Sequence, residues 1–147
     1  MHEKYLKNFD EWNIVKKEID SFNEGPFFSE GEIWWCSVGV NVDVEIDGKN
    51  DYFERPVLIL KKINLQSAII LPLTNTYRNN AYVYRLRTMQ SSVVISQIKS
   101  VSHTRLLRKI CRISFEEYAH IIIRLKYILT FQNETPQKRG ISGPFKA

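Results

Sequence analysis

Cysteine is scarce in this chain: Cys36 and Cys111 are the only two, 75 positions apart in 147 residues. They form no C-x-x-C pair and no ligand cluster with the three histidines, which argues against a structural zinc site and reads both as buried free thiols. No His, Cys or carboxylate spacing resembles that of a metal site, so neither a metal nor another cofactor is expected. No apolar run reaches the length of a membrane span, and the stretch Met1–Lys7 lacks the apolar core of a signal peptide. These absences point to a cytoplasmic protein with no membrane partner. There is no internal repeat. With 44% hydrophobic and 25% charged residues, one domain around one core is expected.

The largest deficit is local. From Arg55 to Phe115 there is no Asp or Glu, against 11 Lys and Arg, whereas Met1–Glu54 holds 13 acidic and 5 basic residues. A single-sign field over that much folded chain favours a polyanion partner. The competing reading is a solvated basic face balanced by the acidic N-terminal third.

What is present reads mainly as short strands between two helices. Phe9, Trp12, Val15, Ile19 and Phe22 recur at helical steps and predict a helix over about residues 3–22, closed by Gly25 and Pro26. Strands are expected at 31–38, 54–62, 67–74, 81–88 and 91–98, with a tight hairpin at Met89 and Gln90. The 39–53 connection carries Asp43, Asp47, Gly48, Asn50 and Asp51 as turn chemistry, and long loops of this kind are often functional. Ser102 predicts the cap of a single helical turn, and Lys109–Ile113 a short strand. Ser114 and Glu117 form a capping-box signature, with Ile113 and Tyr118 as a staple and Tyr118, Ile122, Leu125 and Leu129 down one face of a final helix. Residues 132–147 are expected to be a mobile tail. The pattern suits a mainly β fold with helices, a small SH3-like barrel with a C-terminal helix and an extra N-terminal helix. The divisions are 1–27, 28–131 and 132–147.

Three side chains fall where chemistry on a phosphodiester could use them. Arg55 precedes Pro56, which biases it to an extended conformation at a strand mouth, and its fork suits phosphate. Thr74 ends an apolar strand, and Glu45 lies in the long loop. Attack by a 2′-OH needs an acceptor for its proton, a donor for the leaving oxygen and positive charge on the non-bridging oxygens, and no metal. Each residue also has a bland reading: a surface arginine paired with Glu54, a threonine bonded to its own loop, a solvated glutamate. His103 and His120 read as structural. Tyr82, Tyr84 and Trp34 could stack bases if exposed, although aromatic strand residues read first as core.

Taken together, these blocks resemble the MazF/PemK family of toxin endoribonucleases. The family's opening Gly-acid-aliphatic-aromatic strand is matched by Gly31, Glu32, Ile33 and Trp34. Its Arg-Pro-Val-Leu-Val block is matched by Arg55–Ile59, and its Pro-x-Thr strand end by Pro72, Leu73, Thr74 and Asn75. Ser96–Val101 and then Arg105 and Leu106 match two later blocks, in order, to about Leu129. The resemblance implies an SH3-like barrel, a homodimer, and metal-free cleavage of single-stranded RNA (mRNA) to a 2′,3′-cyclic phosphate and a 5′-hydroxyl. It also implies a cognate antitoxin whose acidic segment occupies the RNA groove. By position it assigns Arg55, Thr74 and Glu45 to catalysis and Asn75, Gln97 and Lys99 to substrate binding. Asp43 and Val44 stand where the family has Gly-Ser, Ser96 replaces an acidic residue, and the loop before Arg55 is longer. Two other classes fit less well: a non-catalytic nucleic-acid-binding module of the same fold, and a CcdB-type topoisomerase poison, which needs no phosphate-binding rim. The acidic N-terminal helix reads as a structural element packed on the barrel, with a regulatory brake across the basic groove as the sharper alternative.

Overall fold

The computed structural model describes residues 5–130, so the expected tail at 132–147 lies outside the described residues. The elements are α1 (Phe9–Asp20), β1 (Glu32–Ser37), β2 (Glu54–Lys62), β3 (Ser67–Thr74), β4 (Val83–Arg85), β5 (Ser92–Val94), β6 (Lys99–Ser102), β7 (Leu106–Arg112) and α2 (Phe115–Leu129). One-turn helices at Ile95–Gln97 and His103–Arg105 separate β5 from β6 and β6 from β7. Every pairing is antiparallel, in the order β4-β5-β3-β2-β1-β7, with β6 on β3. The path is open rather than closed on itself, which differs from the expected barrel.

The near-continuous apolar runs of β2 and β3 follow from burial on both faces. Leu58, Leu60, Leu71 and Leu73 enter one cluster with Ile33 and, from α2, Ile121 and Leu125. Val57, Ile59, Ala68 and Ile70 enter a second with Trp34, Cys36 and Val38. A third, smaller cluster holds α1: Trp12 and Ile19 pack on Val40, with Val15 and Phe53 at its margin. Trp12 lies so close over Gly39 that a Cβ there would stand 2.3 Å from the indole, and Gly39 also needs its φ of +86°. Phe9 and Phe22, expected on the same stripe, remain exposed.

Several boundaries differ from the sequence pattern. The 81–88 strand shrinks to Val83–Arg85, and the chain between β4 and β5 turns through 86–91 rather than at Met89 and Gln90 alone, closed by Leu86 N–H to Ser91 O. The expected 91–98 strand breaks at Ile95–Gln97, because β5 and β6 both pair with β3 and the bend between them buries Ile95. β6 lies past the end of that expected strand and overlaps the block Ser96–Val101 that the resemblance matched. Leu129 is 68% exposed, and Ile121 takes the buried place expected for it. Ser114 caps α2 by accepting from Glu117 N–H, but the Glu117 carboxylate accepts from Arg87 N–H at 2.8 Å instead of completing a capping box. Both cysteines are free; Cys36 is buried and its thiol is pushed up to about 12, whereas Cys111 is only half-buried.

Glu32 ties β1 to β7 and to the turn before β1. Its carboxylate is buried and accepts from Ser29 N–H and Trp34 Nε1, both at 2.9 Å, while Arg112 and Lys109 approach at 3.2 and 3.3 Å. Burial pushes its pKa up, but the hydrogen bonds from Trp34, Ser29 and Lys109 outweigh this and hold it below the ordinary carboxylate value. A depressed carboxylate stabilises the fold above its unfolded pKa and loses that contribution as pH falls through the folded value. Glu32→Gln should therefore cost about 1–3 kcal/mol at neutral pH, modest because Lys109 and Arg112 are half-exposed. The wild-type advantage should shrink below about pH 4. Urea unfolding at the two pH values checks this; equal stability of variant and wild type at neutral pH refutes it.

Candidate active site

Arg55 is the second residue of β2, opposite Cys36 of β1, and Pro56 behind it keeps it extended. Its guanidinium is fixed rather than free. Nε donates to Asp47 O at 2.6 Å and Nη1 to Leu73 O at 3.0 Å, which leaves Nη2 without a protein partner among the described residues. Burial pulls its pKa below the usual arginine value and the Asp47 charge opposes this, so the group stays cationic at neutral pH. The Leu73 carbonyl that receives it immediately precedes Thr74. Thr74 is half-buried at the end of β3, and its hydroxyl oxygen accepts from Thr76 N–H at 3.2 Å. Next to it, Asn75 accepts from Ser91 Oγ at 3.3 Å.

Arg55, Thr74 and Asn75 line one cleft of about 360 Å³, together with Trp35, Lys49 and Ser91. Glu54 also borders it, but Arg108 engages both Glu54 oxygens at 3.1 and 3.4 Å while lying over the Trp35 ring at 5.0 Å. The cleft therefore offers a fixed cation, a hydroxyl and an amide to an anion. An arginine with its Nη2 donors unpaired beside a hydroxyl can hold the non-bridging oxygens of a phosphodiester.

The other expected site residues stand apart from this cleft. Glu45 is exposed in the 39–53 loop and accepts from Val42 N–H at 3.0 Å. Gln97 is a strap: its Oε1 accepts from Ile46 N–H at 2.7 Å and its Nε2 donates to Val44 O at 3.3 Å, which pins that loop to the sheet. Lys99 is half-buried, and burial, then Arg105, lower its pKa, with Glu45 among the charges that oppose this. Trp34 is buried with its Nε1 on Glu32, so it cannot stack a base. His103 packs against Gly25, and His120 faces Tyr84 away from the cleft.

Two contributors escaped the sequence reading. Trp35 lines the cleft where Trp34 was expected to matter; strict alternation along β1 was the available signal, since only one of the two can share the Cys36 face. Lys7 had no signal. Its ammonium reaches Asn41 O at 2.6 Å, Asp43 O at 2.9 Å and the Asp47 carboxylate at 3.2 Å. It thereby fixes, from the N-terminal side, the same Asp47 whose carbonyl holds Arg55.

Among the described residues, no group of three His, Cys, Asp or Glu could hold a metal ion, and no helix is long and apolar enough to cross a membrane.

Residues 29–129 match the model of a family described as PemK-like, MazF-like toxin of type II toxin–antitoxin systems. No curated protein gives a significant sequence match. Among solved structures, MazF from Deinococcus radiodurans superposes with a TM-score of 0.57 at 14% identity, covering 71% of this chain and 97% of its own. An endoribonuclease in complex with its cognate antitoxin from a mycobacterial species gives 0.56 at 14% identity, covering 74% and 100%. The MazE–MazF complex of D. radiodurans gives 0.52 at 11% identity, covering 73% and 99%. At these identities the structural likeness establishes the fold; α1 lies outside the residues that the family model matches.

Proposed function

Because this chain belongs to the PemK-like, MazF-like toxin family of type II toxin–antitoxin systems, we propose that it is an endoribonuclease that cuts single-stranded RNA without a metal. The observation that carries this reading is the Arg55 guanidinium, held between Asp47 O and Leu73 O in the cleft that Thr74 also lines. In the proposed reaction the 2′-oxygen loses its proton and attacks phosphorus, the bond to the 5′-oxygen breaks, and the leaving oxygen takes a proton from solvent, giving a 2′,3′-cyclic phosphate and a 5′-hydroxyl. Arg55 and Thr74 donate hydrogen bonds to the non-bridging oxygens, where charge develops. Glu45 is the candidate to accept the 2′ proton, which requires the Gln97 bonds that hold Val44 and Ile46 to give way so that this part of the loop can bring it towards the cleft. Asn75, Gln97 and Lys99 serve the substrate, Gln97 through the loop it straps and Lys99 through charge.

The same reading extends to assembly. We take residues 28–131 as the catalytic domain, built on the open antiparallel sheet, which works as a cytoplasmic homodimer, with 1–27 as a helical extension. The antitoxin would bring an acidic segment to the face carrying the acid-free stretch from Arg55 to Phe115. Two structural neighbours were solved with an antitoxin, which supports that expectation.

One experiment tests the chemistry: incubate the protein with a long single-stranded RNA in EDTA and map the ends produced. Discrete cuts with 5′-hydroxyl and 2′,3′-cyclic phosphate ends are expected. Activity that EDTA abolishes and added metal restores overturns the mechanism.

A further inference from the structure

A second cleft, of about 760 Å³, lies between β4, the 77–80 segment and α2. Its lining combines Tyr77, Tyr84 and Tyr127 with Arg85, Arg87 and Arg124, and no carboxylate lines it. Two arginines lie over two of the rings: Arg85 is 5.5 Å from the Tyr77 centroid and Arg124 is 5.7 Å from that of Tyr84. Arg87 is neutralised by Glu116 and Glu117. Arg85 and Arg124 pair with no carboxylate among the described residues; Arg124 donates to Val83 O at 3.2 Å. Tyr77 and Tyr127 are 45% and 60% exposed, so both present surface to solvent, Tyr77 with Arg85 over one face of its ring.

The cleft is also in line with the catalytic one. Thr74 pairs with Ser92, and Ser92 pairs with Arg85, so Arg85 stands in the same cross-strand row as Thr74, two strands or about 10 Å away. Asn75 lines the first cleft and Tyr77 the second, and two residues of chain span at most about 7 Å. A polymer leaving the first cleft over Asn75 meets Tyr77 and Arg85 next.

We propose that this second cleft binds nucleotides of single-stranded RNA that flank the cleaved bond, with bases stacking on Tyr77 and Tyr127 and phosphates taken by Arg85 and Arg124. Exposed aromatic faces interleaved with unpaired arginines are what sequence-tolerant binding of a single strand needs, because every base has a π-face and every linkage a charge. The proposal rests on the ribonuclease reading above and deepens it: the first cleft breaks the bond and the second holds the strand.

Tyr77→Ala and Arg85→Gln both alter exposed side chains, so the fold should survive. On a long RNA each should raise KM about tenfold, in line with the loss of one stacked base or one phosphate contact, with kcat unchanged. Arg85→Gln should also reduce the salt slope of RNA binding by about one. On an oligonucleotide just long enough to fill the Arg55 cleft, both variants should match wild type. Wild-type KM in both variants on long RNA overturns the proposal. So does a wild-type dimer that the variants convert to monomer, since the face is then a subunit interface. An acidic peptide whose binding responds to the variants while RNA binding does not also overturns it. A wild-type protein that binds RNA but never cuts it, with both variants binding more weakly, upholds this cleft and overturns the catalytic reading instead.

Discussion

Arg55→Ala is expected to lower the rate of RNA cleavage at saturating substrate by about 10²–10³-fold, the usual cost of removing one preorganised donor from a developing oxyanion. The expectation follows from how the side chain is held. Two of its five donors are committed to Asp47 O and Leu73 O, so the guanidinium plane is set before substrate arrives. A preorganised charge needs no rearrangement at the moment of reaction. Arg55→Lys should not rescue the rate, since an ammonium cannot bridge the two carbonyls and still present a donor along the same direction. Removing the guanidinium also strips two carbonyls of a partner, at about 1–3 kcal/mol, so the assay should be paired with a thermal melt. Thr74→Ala removes a hydroxyl that, among the described residues, bonds only Thr76 N–H and gives a second, structurally gentler route to the same loss. An Arg55→Ala protein that is folded and as fast as wild type would falsify the assignment.

Removing the N-terminal segment should be equally severe, but through stability. A truncation starting at Ser29 deletes Trp12 and Ile19, both buried, and uncovers Val40 and Phe53. It also removes the Lys7 ammonium that holds Asn41, Asp43 and Asp47. Loss of one buried Trp alone typically costs about 3–5 kcal/mol, a large part of the stability of a small domain. The truncated protein is therefore expected to be insoluble or to melt far below wild type. Trp12→Ala offers the smaller version, read as a shift in urea midpoint of the size set by that same energy. A regulatory brake predicts the opposite: a folded truncation that cleaves faster. The packing speaks for the structural reading, because α1 turns its apolar face onto Gly39, Val40 and Phe53 and places no residue in the Arg55 cleft. The two readings separate on a single pair of measurements, the melting temperature and the cleavage rate of the truncated chain.

The strands that carry the site were legible in the sequence. β2 and β3 lie at the expected 54–62 and 67–74 because unbroken apolar runs between turn residues mark strands buried on both faces. Arg55 and Thr74 could be read as strand-end residues for the same reason. The caps of Ser102 and Ser114 were equally local, each a side chain bonding a backbone N–H two or three residues on. Where a second element competed for a group, local pattern failed. Glu117 has the spacing of a capping box, yet Arg87 N–H lies within reach of its carboxylate and takes it.

Sequence alone determined which residues are apolar, where the chain must turn, and that the acids are gathered before Arg55 and the bases after it. These follow from side-chain chemistry and from contacts within a few residues, which the order of residues fixes directly. Tertiary structure decided what Arg55 points at, that Trp35 and not Trp34 borders the cleft, and that Glu45 lies outside it. It also decided that Lys7 and Gln97, 40 and 50 residues from Asp47, fix the loop from opposite sides. Those contacts exist only once β1, β2 and β3 have brought distant segments together, because a hydrogen bond of this kind is set by a distance in space and leaves no periodic trace along the chain.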